Sequence, residues 1–176
     1  MIISSGELVR RNAAFAATGA FAGLPFPASD TLQVLGCVDS RVDPSDVLGL
    51  KLGEGVVMRN IGGRITPATL RSWALLGRLG QGQPPRSGHL VILHHTDCGI
   101  NHCYRHAPEL LAQHMGVALE ELDSLAITDP YKSIALDVET LKANPQISGG
   151  RTVSGLVYDV ATGKVETIVP PMLFQP

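Results

Sequence analysis

Two short segments of the chain carry side chains that bind transition metals. One is Cys37-Val-Asp-Ser-Arg41 and the other is His95-Thr-Asp-Cys98. Two thiolates and an imidazole are ligands that Zn²⁺ favours, and three protein ligands leave a fourth position, as in catalytic zinc sites. An isolated His-x-x-Cys is often incidental, but the two segments together predict one zinc ion per chain, held by Cys37, His95 and Cys98.

A carboxylate and a guanidinium follow Cys37 closely in the sequence. Arg41 can hold Asp39 in a bidentate, charge-assisted pair that keeps the carboxylate ionised. Unpaired, Asp39 could take the fourth zinc position and close the site. Paired, it can accept a hydrogen bond from zinc-bound water and orient the water toward a substrate. We therefore predict that Asp39 and Arg41 are catalytic, and that zinc-bound hydroxide attacks a small, uncharged, electrophilic carbon. A helix-capping aspartate beside a surface arginine is the alternative.

Other candidate groups surround the second segment, because five of the six histidines lie between His89 and His106. His94 and His102 could shuttle protons, since imidazole titrates near neutral pH, and a structural role is the alternative for each. We interpret Cys103 as a buried bystander. The three cysteines then divide into two zinc ligands and one spare thiol.

Short apolar runs predict the elements that position these side chains. Unbroken apolar runs are typical of parallel strands buried on both faces, and two further runs around a turn at 161–163 predict a hairpin. The five predicted strands are Leu32–Val38, Gly55–Met58, His89–His94, Val153–Asp159 and Val165–Val169. Ligands bind beyond the carboxyl ends of parallel strands. Because Cys37 ends the first run and His95 follows the third, both segments should meet in one crevice.

Three Asx-Pro or Thr-Pro pairs mark helix starts, since the first residue caps free amides and proline suits the first turn. They are Asp43-Pro44, Thr66-Pro67 and Asp129-Pro130. The second begins a predicted helix from Pro67 to about Leu79, and the third one from Pro130 to about Ala143. The predicted fold is α/β: a mostly parallel central sheet flanked by helices, with a C-terminal antiparallel hairpin.

The N-terminal residues 1–25 predict a helical arm within a single domain that spans residues 1–176. Ser4-Ser-Gly-Glu7 has the spacing of a capping box. Arg10-Arg11 before an apolar stretch superficially resembles a twin-arginine export signal, but Gly, Thr and Pro interrupt that stretch. Export would also expose the thiols to oxidation, so we favour the helix and a cytoplasmic location.

The composition restricts the partners of the protein. The net charge is −2 and no Lys/Arg-rich run occurs, so nucleic acid is excluded as an expected partner, and no segment is long enough to span a membrane. Only 17% of residues are charged while 44% are hydrophobic. This balance suggests that another subunit covers part of the surface.

The two metal-binding segments resemble the Cys-x-Asp-x-Arg and His-x-x-Cys motifs of the β-class carbonic anhydrases. Between them, Arg59-Asn-Ile-Gly-Gly63 resembles the Arg-Asn-Ala-Gly segment of that family. Gly155-Leu-Val-Tyr-Asp-Val-Ala-Thr-Gly163 is similar to its C-terminal strand and hairpin. The resemblance runs in order along nearly the whole chain.

The resemblance implies zinc on the three predicted ligands, with water or Asp39 as the fourth ligand, and reversible hydration of CO₂ to bicarbonate and a proton. It also implies a homodimer or a larger assembly of dimers, with the N-terminal helix crossing to the partner. Plant-type members have a substrate-polarising glutamine before the first cysteine, where this chain reads Phe26-Pro-Ala-Ser29. Backbone amides near Gly62 and Gly63 are therefore our candidates for orienting CO₂.

Two alternative functions remain open. Related proteins of this fold hydrolyse carbonyl sulfide or carbon disulfide, which are also small linear electrophiles, and the motifs do not separate these activities. A non-catalytic zinc-binding regulator is the other alternative, although such a protein has no use for the Asp39–Arg41 pair.

Overall fold

A five-stranded sheet forms the centre of the computed structural model, which describes residues 2–24, 26, 32–76, 88–145 and 150–173. The strand order is β2-β1-β3-β4-β5. The first four strands are parallel and β5 runs antiparallel to β4. The strands are β1 (Leu32–Cys37), β2 (Gly55–Asn60), β3 (His89–His95), β4 (Thr152–Asp159) and β5 (Lys164–Leu173). The predicted α/β class, parallel sheet and C-terminal hairpin are confirmed.

β2 and β5 extend furthest beyond the predicted bounds. β2 continues through Arg59 and Asn60, whose polar side chains bond to neighbouring loops at the edge of the sheet. β5 continues past Pro170 and Pro171, although two prolines indicate the end of a strand. Proline is tolerated on an edge strand because its missing N–H leaves no bond unmade in the ladder. β5 is such an edge strand.

Helices cover the sheet, and the two main predicted helices are confirmed. The helices are α1 (Ser5–Ala17), α2 (Pro44–Val47), α3 (Pro67–Leu76), α4 (Ile100–His106), α5 (Pro108–Met115) and α6 (Pro130–Lys142). The proline-flanked caps act as predicted: Asp43 accepts from Ser45 N, Thr66 from Thr69 N and Asp129 from Tyr131 N. α6 packs Ile134, Val138 and Leu141 fully into the main core. The residues that would continue α3 toward Leu79 lie outside the described ranges.

The first helix differs from the others because none of its residues is buried. Ser4 Oγ accepts from Glu7 N at 3.2 Å, as predicted. The second half of the predicted capping box is wrong, because the Glu7 carboxylate pairs with Arg10 and Arg11 instead of returning to Ser4. Several large apolar side chains of this arm face solvent: Ile2, Ile3, Leu8, Val9, Phe15, Phe21 and Leu24.

A second, smaller core forms from residues 98–127, which lie between β3 and α6 in the chain. The sequence analysis did not predict the helices of this part of the chain. It consists of α4, α5 and a 3₁₀ segment, Leu119–Leu125. Their buried apolar side chains are Ile100, Leu111, Ala112, Met115 and Leu122. Cys98 packs against this cluster, so the small core forms one wall of the crevice. Within the described ranges, no helix combines the length and hydrophobicity that a membrane span requires.

Candidate metal centre

The three predicted ligands meet at the carboxyl ends of β1 and β3. Cys37 is the last residue of β1, His95 is the last of β3, and Cys98 lies in the turn that follows β3. Their ligand atoms all lie within 4.8 Å of one another, and the two sulfur atoms are 3.7 Å apart. Cys37 thus forms one cluster of nitrogen and sulfur donors with two residues that lie 58 and 61 positions further along the chain.

The imidazole of His95 has the tautomer that a metal ligand needs. Nδ1 lies 2.9 Å from the carbonyl oxygen of Thr96, and since a carbonyl only accepts, Nδ1 carries the proton. Nε2 is therefore an acceptor, and it is buried with no hydrogen-bond partner among the described residues. A metal ion beside the two sulfurs would satisfy this buried nitrogen. The donor set thus fits zinc.

A hydrogen bond joins the sulfur atoms of Cys37 and Cys98. The hydrogen bond from Cys98 lowers the pKa of Cys37 to about 4, although burial opposes the shift; His95 and the backbone N–H groups of Asp39 and Gly62 also lower it. The same hydrogen bond, together with burial, raises the pKa of Cys98. Because a hydrogen bond joins the two sulfurs, binding a cation through both thiolates requires the loss of the proton between them.

Gly62 and Gly63 bring the backbone close to this cluster, both with positive φ. A Cβ on Gly62 would lie 2.5 Å from Ile100 Cδ1, and the Gly62 N–H points at the Cys37 sulfur. A Cβ on Gly63 would lie 3.0–3.1 Å from backbone atoms of Gly36, Leu93 and Cys37. Gly62 lines the crevice. Their role in orienting a substrate stays a prediction, while the structure shows that Gly63 packs tightly against β1 and β3 and Gly62 against Ile100.

Arg41 holds both carboxylate oxygens of Asp39. Arg41 Nη2 donates to Asp39 Oδ2 at 2.7 Å and Nε donates to Oδ1 at 3.1 Å. Hydrogen bonds from the Arg41 side chain lower the pKa of Asp39 to about 2, against the effect of burial. Arg41 also donates to the carboxylate and the carbonyl of Asp97. Asp39 is thus ionised and turned toward Arg41, outside the three-residue ligand cluster.

Our sequence analysis missed Arg59 as a residue that positions this pair. Its guanidinium donates to the carbonyl of Cys37 at 2.8 Å, to the carbonyl of Asp39 at 2.7 Å and to Asp43 Oδ2 at 2.5 Å. These bonds fix the backbone between a metal ligand and the carboxylate. The available signal was the position of Arg59 late in an apolar run that adjoins β1.

The remaining candidates lie away from the ligand atoms. His94 is buried, with Nδ1 2.9 Å from Ser133 Oγ and Nε2 3.2 Å from Asp137 Oδ2. His102 is exposed, and its ring centroid lies 4.2 Å from that of His106. Cys103 is half-buried against the small core. His94 therefore makes structural contacts, and a proton-shuttle role for either histidine stays a prediction.

A cavity of about 120 Å³ lies beside His95 and Cys98. Its walls come from the loop after β2, the end of β3, the start of α4 and the start of α6. Polar lining groups include Arg64, His94, Thr96, Asn101, Thr128 and Ser133. Ile100 and Ile127 supply apolar surface. The cavity has room for a molecule of a few heavy atoms next to the ligand cluster.

Comparison with known proteins agrees with this architecture. A sequence model of the carbonic anhydrase family matches residues 32–130. The chain is 29% identical to β-carbonic anhydrase 1 of Mycobacterium tuberculosis over 158 residues, which cover 88% of this chain and 91% of that protein. It is 27% identical to the carbon disulfide hydrolase of Acidithiobacillus thiooxidans over 78% of this chain and 76% of that one. A carbonic anhydrase structure from Streptococcus mutans superposes with a TM-score of 0.73 at 32% identity, covering 96% of this chain and 99% of that chain. The chain therefore belongs to the β-class carbonic anhydrase family.

Proposed function

We propose that this protein is a zinc enzyme that hydrates CO₂ reversibly to bicarbonate and a proton, with one zinc ion per chain. The observation that supports this most directly is the state of Asp39 beside the ligand cluster. Both of its oxygens are bonded to Arg41, so among the described residues Cys37, His95 and Cys98 form the ligand cluster and Asp39 does not take a fourth position. Such an arrangement is typical of catalytic zinc.

Each residue of the site has a specific task in this proposal. Zinc, when bound by the three ligands, supplies Lewis-acid activation of a water nucleophile at neutral pH. The carboxylate of Asp39 accepts a hydrogen bond from that nucleophile, and Arg41 keeps the carboxylate ionised and oriented. Arg59 holds the carbonyls of Cys37 and Asp39, so the ligand and the acceptor keep a fixed separation.

Hydrolysis of carbonyl sulfide or carbon disulfide is the second candidate function. It is favoured by the similarity to carbon disulfide hydrolases, three of which are 25–27% identical over 78–79% of this chain. The substrates are small linear electrophiles like CO₂, so the same ligands and the same Asp39 acceptor would serve. The lining of the approach to the cavity would decide between them.

We further propose that residues 1–25 form an arm that packs on a second copy of this single-domain chain, giving a homodimer or a larger assembly. The support is the unburied apolar face of α1, on which Leu8, Val9 and Phe15 are exposed. A cytoplasmic location fits the site, because two sulfurs 3.7 Å apart need a reducing compartment to stay available to a metal.

Two matched assays test the function. Zinc content is measured on the purified protein, and CO₂ hydration is followed by stopped flow alongside sulfide release from carbonyl sulfide and carbon disulfide. Asp39→Asn should keep its zinc and lose about 100-fold or more in kcat for the substrate that the protein uses. Asp46→Asn, an exposed carboxylate on α2, is the control and should match the wild type. Zinc binding without turnover of any of these substrates would favour the regulator, and full activity of Asp39→Asn would refute the role of the pair.

A further inference from the structure

Arg64 is a buried cation that the proposed chemistry does not use. It follows Gly63 directly, is 1% exposed and lines the cavity beside His95 and Cys98. Its Nε donates to Asp137 Oδ2 at 2.8 Å, and its Nη2 donates to Asp137 Oδ1 at 3.1 Å and to the carbonyl of Leu125 at 3.0 Å. The Nε–Nη2 edge of the guanidinium thus has a hydrogen-bond acceptor for each of its three N–H groups.

The other terminal nitrogen, Nη1, is buried and has no acceptor among the residues that the structure describes. Leaving a charged donor buried and unpaired is unfavourable, because the donor has lost its hydrogen bonds to water without gaining an acceptor. Asp137 and Leu125 are not part of the cavity wall, whereas Arg64 is. Because the Nε–Nη2 edge is directed to those two residues, Nη1 is the one nitrogen without an acceptor, among the described residues, on a side chain that lines the cavity.

An anion is the group best suited to pair with Nη1, because a guanidinium donor binds a negatively charged acceptor more strongly than a neutral one. The pKa of Asp137 is lowered: burial alone would raise it, but the hydrogen bond from His94 and the charge of Arg64 outweigh burial. Asp137 therefore compensates Arg64 from outside the cavity. The carboxylate of Asp97, which does line the cavity, is bonded to Arg41. Thr128 and Ser133 add neutral hydroxyl groups to the same wall.

We propose that Nη1 of Arg64 forms a subsite for a small, planar, monovalent oxyanion in the cavity beside the metal ligands. A guanidinium binds such anions through charge-assisted hydrogen bonds of fixed geometry, which an ammonium or a neutral amide does not reproduce. The identity of the natural anion rests on the proposed function, under which it is bicarbonate, the charged product. The subsite then holds the product in the same cavity that His95 and Cys98 line. Arg64 is a product-binding residue.

The direct test measures anion affinity on the full-length, zinc-loaded protein. Nitrate and bicarbonate are titrated against chloride at constant ionic strength, and binding is followed by calorimetry and by the rise in melting temperature. Arg64→Lys keeps the positive charge next to Asp137 but lacks Nη1. Its affinity for nitrate and for bicarbonate should each be about tenfold weaker than in the wild type. Arg71→Lys, which changes an exposed arginine on α3, should leave both affinities unchanged.

A purely structural role for Arg64 makes a different prediction, namely a lower melting temperature with unchanged anion affinity, and that result would overturn the proposal. If Arg64→Lys does not fold, the double variant Arg64→Gln/Asp137→Asn removes both buried charges together and should show the same loss of affinity. If nitrate binds the metal instead, its affinity should fall in Cys98→Ser and stay unchanged in Arg64→Lys. That result would also contradict the subsite.

Activity assays separate this proposal from the proposed function. If CO₂ is hydrated, inhibition of the hydration reaction by bicarbonate should weaken about tenfold in Arg64→Lys. Nitrate binding that depends on Arg64 in a protein without CO₂ activity would support the anion subsite while refuting CO₂ hydration. CO₂ activity combined with equal nitrate affinity in the wild type and Arg64→Lys would support the function and refute the subsite.

Discussion

Substitution of Gly63 by alanine tests how closely the metal site depends on backbone packing. Gly63 has a φ of +66°, and an added Cβ would lie 3.0 Å from Gly36 C, 3.0 Å from Leu93 O and 3.1 Å from Cys37 N. All three neighbours are backbone atoms of β1 and β3, so none can rotate away. Ordinary van der Waals contacts begin at 3.4 Å, so the strands must separate by about 0.4 Å. Metal–ligand distances tolerate only about 0.2 Å.

Gly49 provides a matched control for the backbone contribution. It has the same φ of +66° but no atom within 4 Å of an added Cβ. Alanine at either position adopts a left-handed conformation at a cost of about 1–2 kcal/mol. At Gly63 the overpacking of two central strands adds about 1–3 kcal/mol to that cost. The difference between the two variants therefore isolates packing against the strands that carry Cys37 and His95.

Urea unfolding of the apo-proteins gives the two free energies, and competition with a chromophoric chelator gives zinc affinity. Gly49→Ala should lower the free energy of unfolding by about 1–2 kcal/mol and should bind zinc with the affinity of the wild type. Gly63→Ala should be less stable than Gly49→Ala by at least about 1 kcal/mol and should bind zinc at least about tenfold more weakly, since Cys37 must move. Equal stability and equal zinc affinity in both variants would refute the reasoning.

Three further predictions concern the ligands, the arm and the buried ion pair. Cys98→Ser should lose zinc while Cys103→Ser keeps about one zinc per chain, as elemental analysis would measure; zinc retained in Cys98→Ser would contradict the ligand set. Phe15→Glu should shift the protein toward monomer in analytical ultracentrifugation with little change in its circular dichroism, because this side chain is exposed on α1; an unchanged sedimentation coefficient would exclude the arm from the interface. Asp137→Asn should have a free energy of unfolding about 3 kcal/mol below that of the wild type at pH 7, because Arg64 loses its buried counter-charge. The pKa of Asp137 is lowered in the folded state, so this difference should shrink as the pH falls below about 4, because the carboxyl group of the unfolded chain takes up its proton there while the folded protein still holds the carboxylate ionised. A difference that stays constant in urea unfolding between pH 7 and pH 3 would show that the charge is not the cause.

Local patterns predicted most of the fold correctly. The three proline-flanked caps and the apolar stripe of α6 depend on residues within a few positions of each other, where spacing alone decides which groups meet. Strand ends were less certain, because the continuation of β2 into Arg59 and of β5 through two prolines depends on what lies beside the strand. The helices α4 and α5 were missed, since their buried residues pack on each other and on Cys98 rather than on the main sheet.

The sequence by itself determined which chemistry is available: two sulfurs and an imidazole near strand ends, with an aspartate and an arginine close to the first sulfur. It also determined the parallel sheet that brings the segments together, since buried strands and capped helices follow from local spacing. Only the tertiary structure decided which groups remain free. Within the described part of the chain, His95 Nε2 is left without a partner because Nδ1 donates to Thr96, and Arg64 Nη1 is left without one because Asp137, 73 residues away, takes the opposite edge. Hydrogen bonds between residues so far apart depend on strand register and helix placement, which no local pattern specifies.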